Sequence, residues 1–173
     1  YETEPEEGLA GRRSYWPRGK VLGGSSSINA MVYIRGQDID FDGWEAAGNS
    51  GWGWNDVLPI FKRSETNDRG PDEWRGGEGP LHVATMDRDL HPICQNLIRA
   101  GQEIQLPHNP DFNGASQEGV GTYQNTAKNG FRMSTARAYL RPALKRSNLR
   151  LVKHAQATKV LFEGKRAVGI EFS

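Results

Sequence analysis

Two adjacent glycines, Gly23 and Gly24, constrain this chain more than any other feature. They follow Gly19-Lys20-Val21-Leu22 and precede Ser25-Ser26-Ser27-Ile28-Asn29. Backbone without side chains turns through positive φ and lets another group approach closely. Serines cap helices, and Ile28, Met31, Val32 and Arg35 recur at helical spacing. The stretch therefore predicts a short buried helix starting near Ser26 or Ser27 and ended by Gly36. A glycine turn at a helix start points N–H groups outward, the build of an anion or cofactor-phosphate site. The plainer alternative is a tight turn against a neighbouring helix, with no ligand.

Glycine usage supports a chain of turns and close backbone approaches rather than long helices: 21 of 173 residues, about twice the usual share. A net charge of +1 with scattered Lys and Arg shows no nucleic-acid or anionic-membrane footprint. The single Cys94 excludes an internal disulfide and a Cys-based metal site, and an unpaired thiol fits a reducing compartment; the expected location is cytoplasmic, with a peripheral place on the inner membrane as the alternative. No apolar run reaches membrane-spanning length and no signal-peptide pattern is present. The chain opens on Tyr1 rather than Met and stops at Ser173 after a strand-like run, which suggests a piece of a longer protein.

Residues 1–18 read as irregular. Asp38, Asp40 and Asp42 before Gly43 imitate the start of a calcium loop, but Asn49 stands where the bidentate Glu belongs, so a helix with an acidic first turn is the better reading. Trp44, Trp52 and Trp54 read as packing residues around a glycine turn, and Asn55 as the cap of a helix through Val57, Leu58, Phe61 and Lys62. Residues 66–80 form a polar, glycine-rich loop of lid-like length. Leu81–Ala84 and Val120–Asn125 read as strands, and Ile93, Leu97, Ala100 and Ile104 as one face of an amphipathic helix. Ser134 caps a helix through Ala138 and Leu140 that Pro142 ends or kinks. Leu149–Leu151, Val160–Phe162 and Val168–Phe172 alternate, a small antiparallel meander with one buried face.

Several catalytic patterns are missing. His82, His91, His108 and His154 do not fall at metal-binding spacing. There is no Gly-x-Ser-x-Gly elbow, no Walker A loop and no Gly-x-Gly-x-x-Gly dinucleotide turn.

The run from Pro17 to Gly36, with Asp42 downstream, resembles the first signature of the glucose–methanol–choline flavin oxidoreductases. Asp42-Gly43-Trp44, Gly51-Trp52, Leu58-Pro59, 77–81, 134–140, Asn148-Leu149 and 164–169 fall in that family's order, so the likeness covers nearly the whole chain and is nearest to choline and FAD-dependent alcohol dehydrogenases. The resemblance implies an α+β chain cut from an α/β parent, with short helices and a C-terminal antiparallel β-meander. Residues 1–88 would belong to the flavin domain, 89–130 to the substrate domain, and 131–173 to the flavin domain again. It implies FAD as cofactor, held by Val21, Gly23, Gly24, Asn29, Ala30, Met31, Val32 and Ala157. Ile28 stands where some relatives carry a flavin-tethering His, so the flavin is expected to be non-covalent. The implied reaction oxidises a primary alcohol to an aldehyde by hydride transfer to the flavin N5. The Rossmann turn and the catalytic His are expected outside this segment, which holds no catalytic residue and no metal site and is expected to be inactive alone. The alternative of a different class is a non-enzymatic binding or assembly module.

Overall fold

The computed structural model describes residues 1–86 and 90–173, which divide into two compact units, 1–141 and 142–173. The expected boundary between residues 88 and 89 lies outside the described residues.

The first unit opens with isolated antiparallel bridges, Glu2–Tyr15 and Glu6–Arg12, around a 3-10 turn at Glu7–Leu9. A 3-10 turn at Gly24–Ser27 follows, then strand β1 (Val32–Tyr33). Helix α1 (Asp38–Ala46) starts where the acidic residues predict, and the Gln37 N–H donates to Asp40 Oδ2 at 2.8 Å. Asp40 and Asp42 thus cap helices rather than converge on an ion: Asp42 Oδ1 accepts the Trp54 N–H at 2.9 Å, at the start of α2 (Trp54–Ser64). The cap residue of α2 is Gly53, not Asn55, because this carboxylate from α1 already serves the first N–H.

Aromatic packing joins α1 to α2. The Phe41 ring lies 5.2 Å from Trp44, 5.6 Å from Trp54 and 5.7 Å from Phe61, and Trp44 meets Trp52 at 5.9 Å. Each such pair contributes about 0.5–1.5 kcal/mol beyond its burial. The tryptophans are packing residues, as their spacing around the glycine turn predicts.

Beyond α2, β2 (Glu65–Asn67) pairs in parallel with β3 (Leu81–Val83). The segment between them is pinned. Lys62 Nζ donates to the carbonyls of Asp72 and Glu73 at 2.7 and 3.1 Å. A Cβ on Gly76 would collide with the Lys62 carbonyl, and one on Gly79 with backbone at Arg63–Glu65. Residues 66–80 therefore pack on the end of α2, which is not how a free lid is held.

Helix α3 (Pro92–Glu103) is capped by His91, whose Nδ1 accepts the Ile93 N–H at 3.2 Å. Its half-buried face is Cys94, Ile98 and Gly101; the predicted stripe Ile93, Leu97, Ala100 and Ile104 faces outward. Strand β4 (Gln124–Asn125) pairs antiparallel with β1, and β5 (Ala127–Lys128) with β6 (Phe131–Arg132). A π-helical turn, Ala136–Leu140, takes the place of the predicted α-helix and runs into α4 (Arg141–Ala143), which contains Pro142.

The apolar core is small, formed by Phe41, Val83, Phe112, Ala136 and Ala138. Buried with it are Arg35, Glu65, Asn67, Asn109, Asn113 and Gln124, so hydrogen bonds hold much of the interior.

The second unit is an antiparallel pair, β7 (Ala157–Glu163) and β8 (Arg166–Phe172), turned at Gly164. Leu149–Leu151 lies in the same unit but forms no strand with the pair. The expected buried face is missing: Val160, Phe162, Ile170 and Phe172 are all exposed.

Candidate functional site

The double glycine turns as its composition requires, with φ of 91° at Gly23 and 54° at Gly24. The serines after it are used locally. Ser25 Oγ accepts the Gly19 N–H at 3.3 Å, and Ser27 Oγ donates to the Leu22 carbonyl at 2.9 Å. Ser26 Oγ donates to the Gly23 carbonyl at 2.5 Å and accepts the Thr135 N–H at 2.9 Å, while Thr135 Oγ1 donates back to Gly23 at 3.2 Å. A Cβ on Gly23 would meet Ser27 Oγ at 2.5 Å and Ala136 at 3.2 Å. A Cβ on Gly24 would meet nothing within 4 Å. Gly23 thus serves packing on the π-helical turn, and Gly24 faces open space.

The predicted helix from Ser26 toward Gly36 is replaced by four residues of 3-10 turn and a sharp change of direction. Ile28 leaves helical geometry at φ −130° and is exposed. Met31 sits at φ +63°, a conformation that L-residues with a long side chain seldom adopt. Asn29 Oδ1 accepts the Met31 N–H at 3.1 Å, an Asx turn that competes with helix. The Met31 carbonyl accepts the Thr126 N–H at 2.8 Å, and β-branched Val32 then enters the sheet. A helix N-terminus is therefore not the binding element here. What projects is a kinked turn, Asn29–Ala30–Met31, beside the glycines, with Asn29 and Ala30 exposed and Met31 half-buried.

Arg132 joins the two parts. Its Nη1 donates to the Asn29 carbonyl and to Asn29 Oδ1, each at 2.7 Å, and to the Ser26 carbonyl at 3.3 Å. A cavity of about 390 Å³ lies beside Met31, walled by His82, Lys128, Phe131 and Arg132. His82 Nδ1 is 2.8 Å from the Ala127 carbonyl, so that nitrogen carries the proton. The sequence reading missed Arg132, although Asn129-Gly130, both at positive φ, is a hairpin signal that places it.

Behind this turn lies a buried polar group. Arg35 Nη2 is 3.0 Å from Glu65 Oε1, Arg35 Nη1 donates to the Trp74 carbonyl at 2.7 Å, and Glu65 Oε1 accepts the Gly76 N–H at 2.9 Å. Asn113 Oδ1 accepts the Arg35 N–H at 2.8 Å, and its Nδ2 donates to the Tyr33 carbonyl at 3.1 Å. Burial first, and then the Glu65 carboxylate, push the Tyr33 phenol well above its ordinary pKa. Its Oη is nonetheless buried with no hydrogen-bond partner of good geometry.

Val21 is exposed beside the glycine turn, and its carbonyl accepts the Gly24 N–H at 2.8 Å. Val21, Gly23, Gly24 and Asn29–Val32 thus form one continuous stretch of the first unit. Ala157 opens β7 in the second unit, opposite Phe172, and is exposed. Among the described residues no group of three or more His, Cys, Asp or Glu is placed to hold a metal ion, and no helix is long and apolar enough to cross a membrane.

The stretch fits one wall of a site for a large flat cofactor. Val21, Asn29, Ala30 and Val32 are exposed, Gly24 leaves room over the backbone, and the turn at Met31 is held from behind. Comparison with known proteins identifies the family. The family model described as GMC oxidoreductase matches residues 8–173, and the chain belongs to that family. It is 48% identical over 173 residues to an alcohol dehydrogenase [acceptor] of Pseudomonas putida, covering 99% of this chain and 31% of that protein. It is 50% identical to an oxygen-dependent choline dehydrogenase of Vibrio vulnificus, with the same coverage of each. Among solved structures, it resembles pyridoxine 4-oxidase from Mesorbium loti with a TM-score of 0.88 and 33% identity, over 99% of this chain and 34% of the other. An FAD-dependent oxidoreductase from Chaetomium thermophilum matches with a TM-score of 0.85 and 31% identity, over 100% of this chain and 32% of the other. Family and neighbours support FAD as the cofactor. The chain spans about a third of the length of these relatives.

Proposed function

We propose that this chain is an internal segment of an FAD-dependent alcohol dehydrogenase of the choline dehydrogenase kind, acting on a primary alcohol in the cytoplasm. The observation that carries the reading is the kinked turn Asn29–Met31 beside the double glycine, in a chain about half identical to alcohol and choline dehydrogenases. Val21, Gly23, Gly24, Asn29, Ala30, Met31 and Val32 would hold the flavin from one side, and Ala157 would contribute through its backbone. When bound, the flavin supplies the ring that accepts hydride from the alcohol carbon. The residues of this chain bind and orient it. Gly24 leaves the backbone open, Asn29 offers its amide, and Ile28 cannot form a covalent link to it. The residue that takes the alcohol proton, and the dinucleotide-binding turn, lie in the remainder of the protein.

The test is spectral. The full-length protein should purify with about one flavin per chain, released into the supernatant on acid precipitation, and should reduce a dye acceptor with choline or another primary alcohol. A colourless full-length protein overturns the reading. The 173-residue chain alone should show no stoichiometric flavin band and no turnover.

A further inference from the structure

The turn that carries Asn29 and Met31 is not made by its own sequence. Met31 occupies left-handed backbone, a conformation unfavourable for a residue with its side chain. Such a conformation persists only where its surroundings over-determine it. Two grips do so here, both from the root of the β5–β6 hairpin, about a hundred residues downstream. Thr126, before β5, donates its N–H to the Met31 carbonyl, and Arg132, ending β6, takes the Asn29 carbonyl. The Met133 N–H donates to the Thr126 carbonyl at 2.9 Å, so the two grips are tied to each other.

Arg132 does more than hold the chain. Asn29 Oδ1 accepts from both Arg132 Nη1 and the Met31 N–H. Two donors on one oxygen fix the amide: Oδ1 faces the hairpin, and the Nδ2 donors are left for a ligand on the exposed side. One guanidinium nitrogen, Nη1, makes all three contacts, to the Asn29 carbonyl, to Asn29 Oδ1 and, at 3.3 Å, to the Ser26 carbonyl, and the rigid planar group holds that nitrogen in place.

We propose that Arg132 is a positioning residue for the flavin: acting through Asn29, it sets which polar group Asn29 presents to the cofactor and keeps Met31 left-handed. This inference rests on the proposed flavin site, but its first readout does not need the flavin. In the full-length protein, Arg132→Gln should raise hydrogen exchange at the Met31 amide roughly tenfold, with or without bound cofactor, because its acceptor Oδ1 is no longer fixed. In the flavin-loaded protein, the visible circular dichroism of the flavin should shift and kcat should fall roughly tenfold with KM little changed. Arg132→Lys, whose ammonium can still donate to these acceptors, should recover part of both effects relative to Arg132→Gln. A purely structural role would lower the melting temperature without altering the spectrum of the flavin that remains bound. Unchanged exchange at Met31 and an unchanged flavin spectrum in Arg132→Gln overturn the proposal; should that variant not fold, wild-type exchange and spectrum in Arg132→Met, which keeps the apolar stem and has no donor, do so. A colourless wild-type protein in which Arg132→Gln still speeds exchange at Met31 would refute the flavin site and keep the grip on the turn.

Discussion

Arg35 Nη2 meets Glu65 Oε1 at 3.0 Å, with both side chains almost wholly out of water. One residue follows β1 and the other opens β2, so the pair links the strand that leaves the Asn29–Met31 turn to the strand that follows α2. The pair is incompletely satisfied, since Glu65 Oε2 and Arg35 Nε lack hydrogen-bond partners. Its net contribution over an apolar pair is therefore small, but removing one partner strands a buried charge. Glu65→Ala should lower stability by about 3–5 kcal/mol in urea unfolding of the full-length protein. Glu65→Gln, which can still accept the Gly76 N–H, should cost less. Equal melting of Glu65→Ala and wild type would show that the pair does not hold the fold.

Tyr33 gives the same region a signature in alkali. Its phenol is held above its ordinary pKa by burial and then by Glu65, so the folded state keeps a proton that the unfolded chain releases near pH 10. Unfolding then releases a proton, and stability falls as pH rises above about 10. The contribution is fully present below that pH, and the slope reaches at most about 1.4 kcal/mol per pH unit. Tyr33→Phe should remove this slope between pH 10 and 11. At pH 7 it should be close to neutral, because the lost hydroxyl makes no hydrogen bond of good geometry. Urea midpoints measured at pH 7, 9, 10 and 11 for both proteins decide it.

The glycines of the signature should separate by mechanism. A Cβ on Gly19 would collide with the Gly24 carbonyl, so Gly19→Ala must open the loop. Gly24→Ala meets no atom and bears only the strain of φ 54°, about 1 kcal/mol. Gly23→Ala adds contact with Ala136 to a φ of 91°. The expected order of thermal destabilisation is Gly19 first, Gly23 next and Gly24 least. Flavin content should invert part of that order: Gly24→Ala should lose cofactor affinity out of proportion to its stability, because its Cβ enters the open side. A Gly24→Ala protein with wild-type flavin affinity would remove Gly24 from the cofactor wall.

Local signals were legible. The acidic start of α1, the tryptophan packing and the β7–β8 return follow from residues a few positions apart. The helix expected after Ser26 failed because its competitors are distant: Thr126 and Arg132 bend Asn29–Met31 in a way that helical periodicity cannot report. The Arg35–Glu65 pair was hidden for a similar reason. Arg35 completes a helical pattern by spacing, and nothing near Glu65 marks it as buried. The orientation of α3 misled because its most apolar stripe faces away from the residues of this chain, leaving Cys94, Ile98 and Gly101 to pack against them. Family motifs carried the cofactor where geometry alone offered only a glycine turn.

The hairpin β7–β8 should behave differently in the short chain and in the full-length protein. Val160 and Ile170 are cross-strand partners, yet they are 47% and 61% exposed. A two-stranded hairpin without a covered face is marginal in water. The chain spans about a third of its relatives' length, and a further layer of the flavin domain would cover these side chains. In the 173-residue chain, Ile170→Ala should change stability by less than about 0.5 kcal/mol, as at an open surface. In the full-length protein the same substitution should cost about 2–5 kcal/mol, as in a core. Hydrogen exchange should agree, with β7–β8 amides unprotected in the short chain and among the slowest in the long one. If Ile170→Ala is equally mild in both proteins, this face stays open to water and the second unit does not join the flavin domain through it.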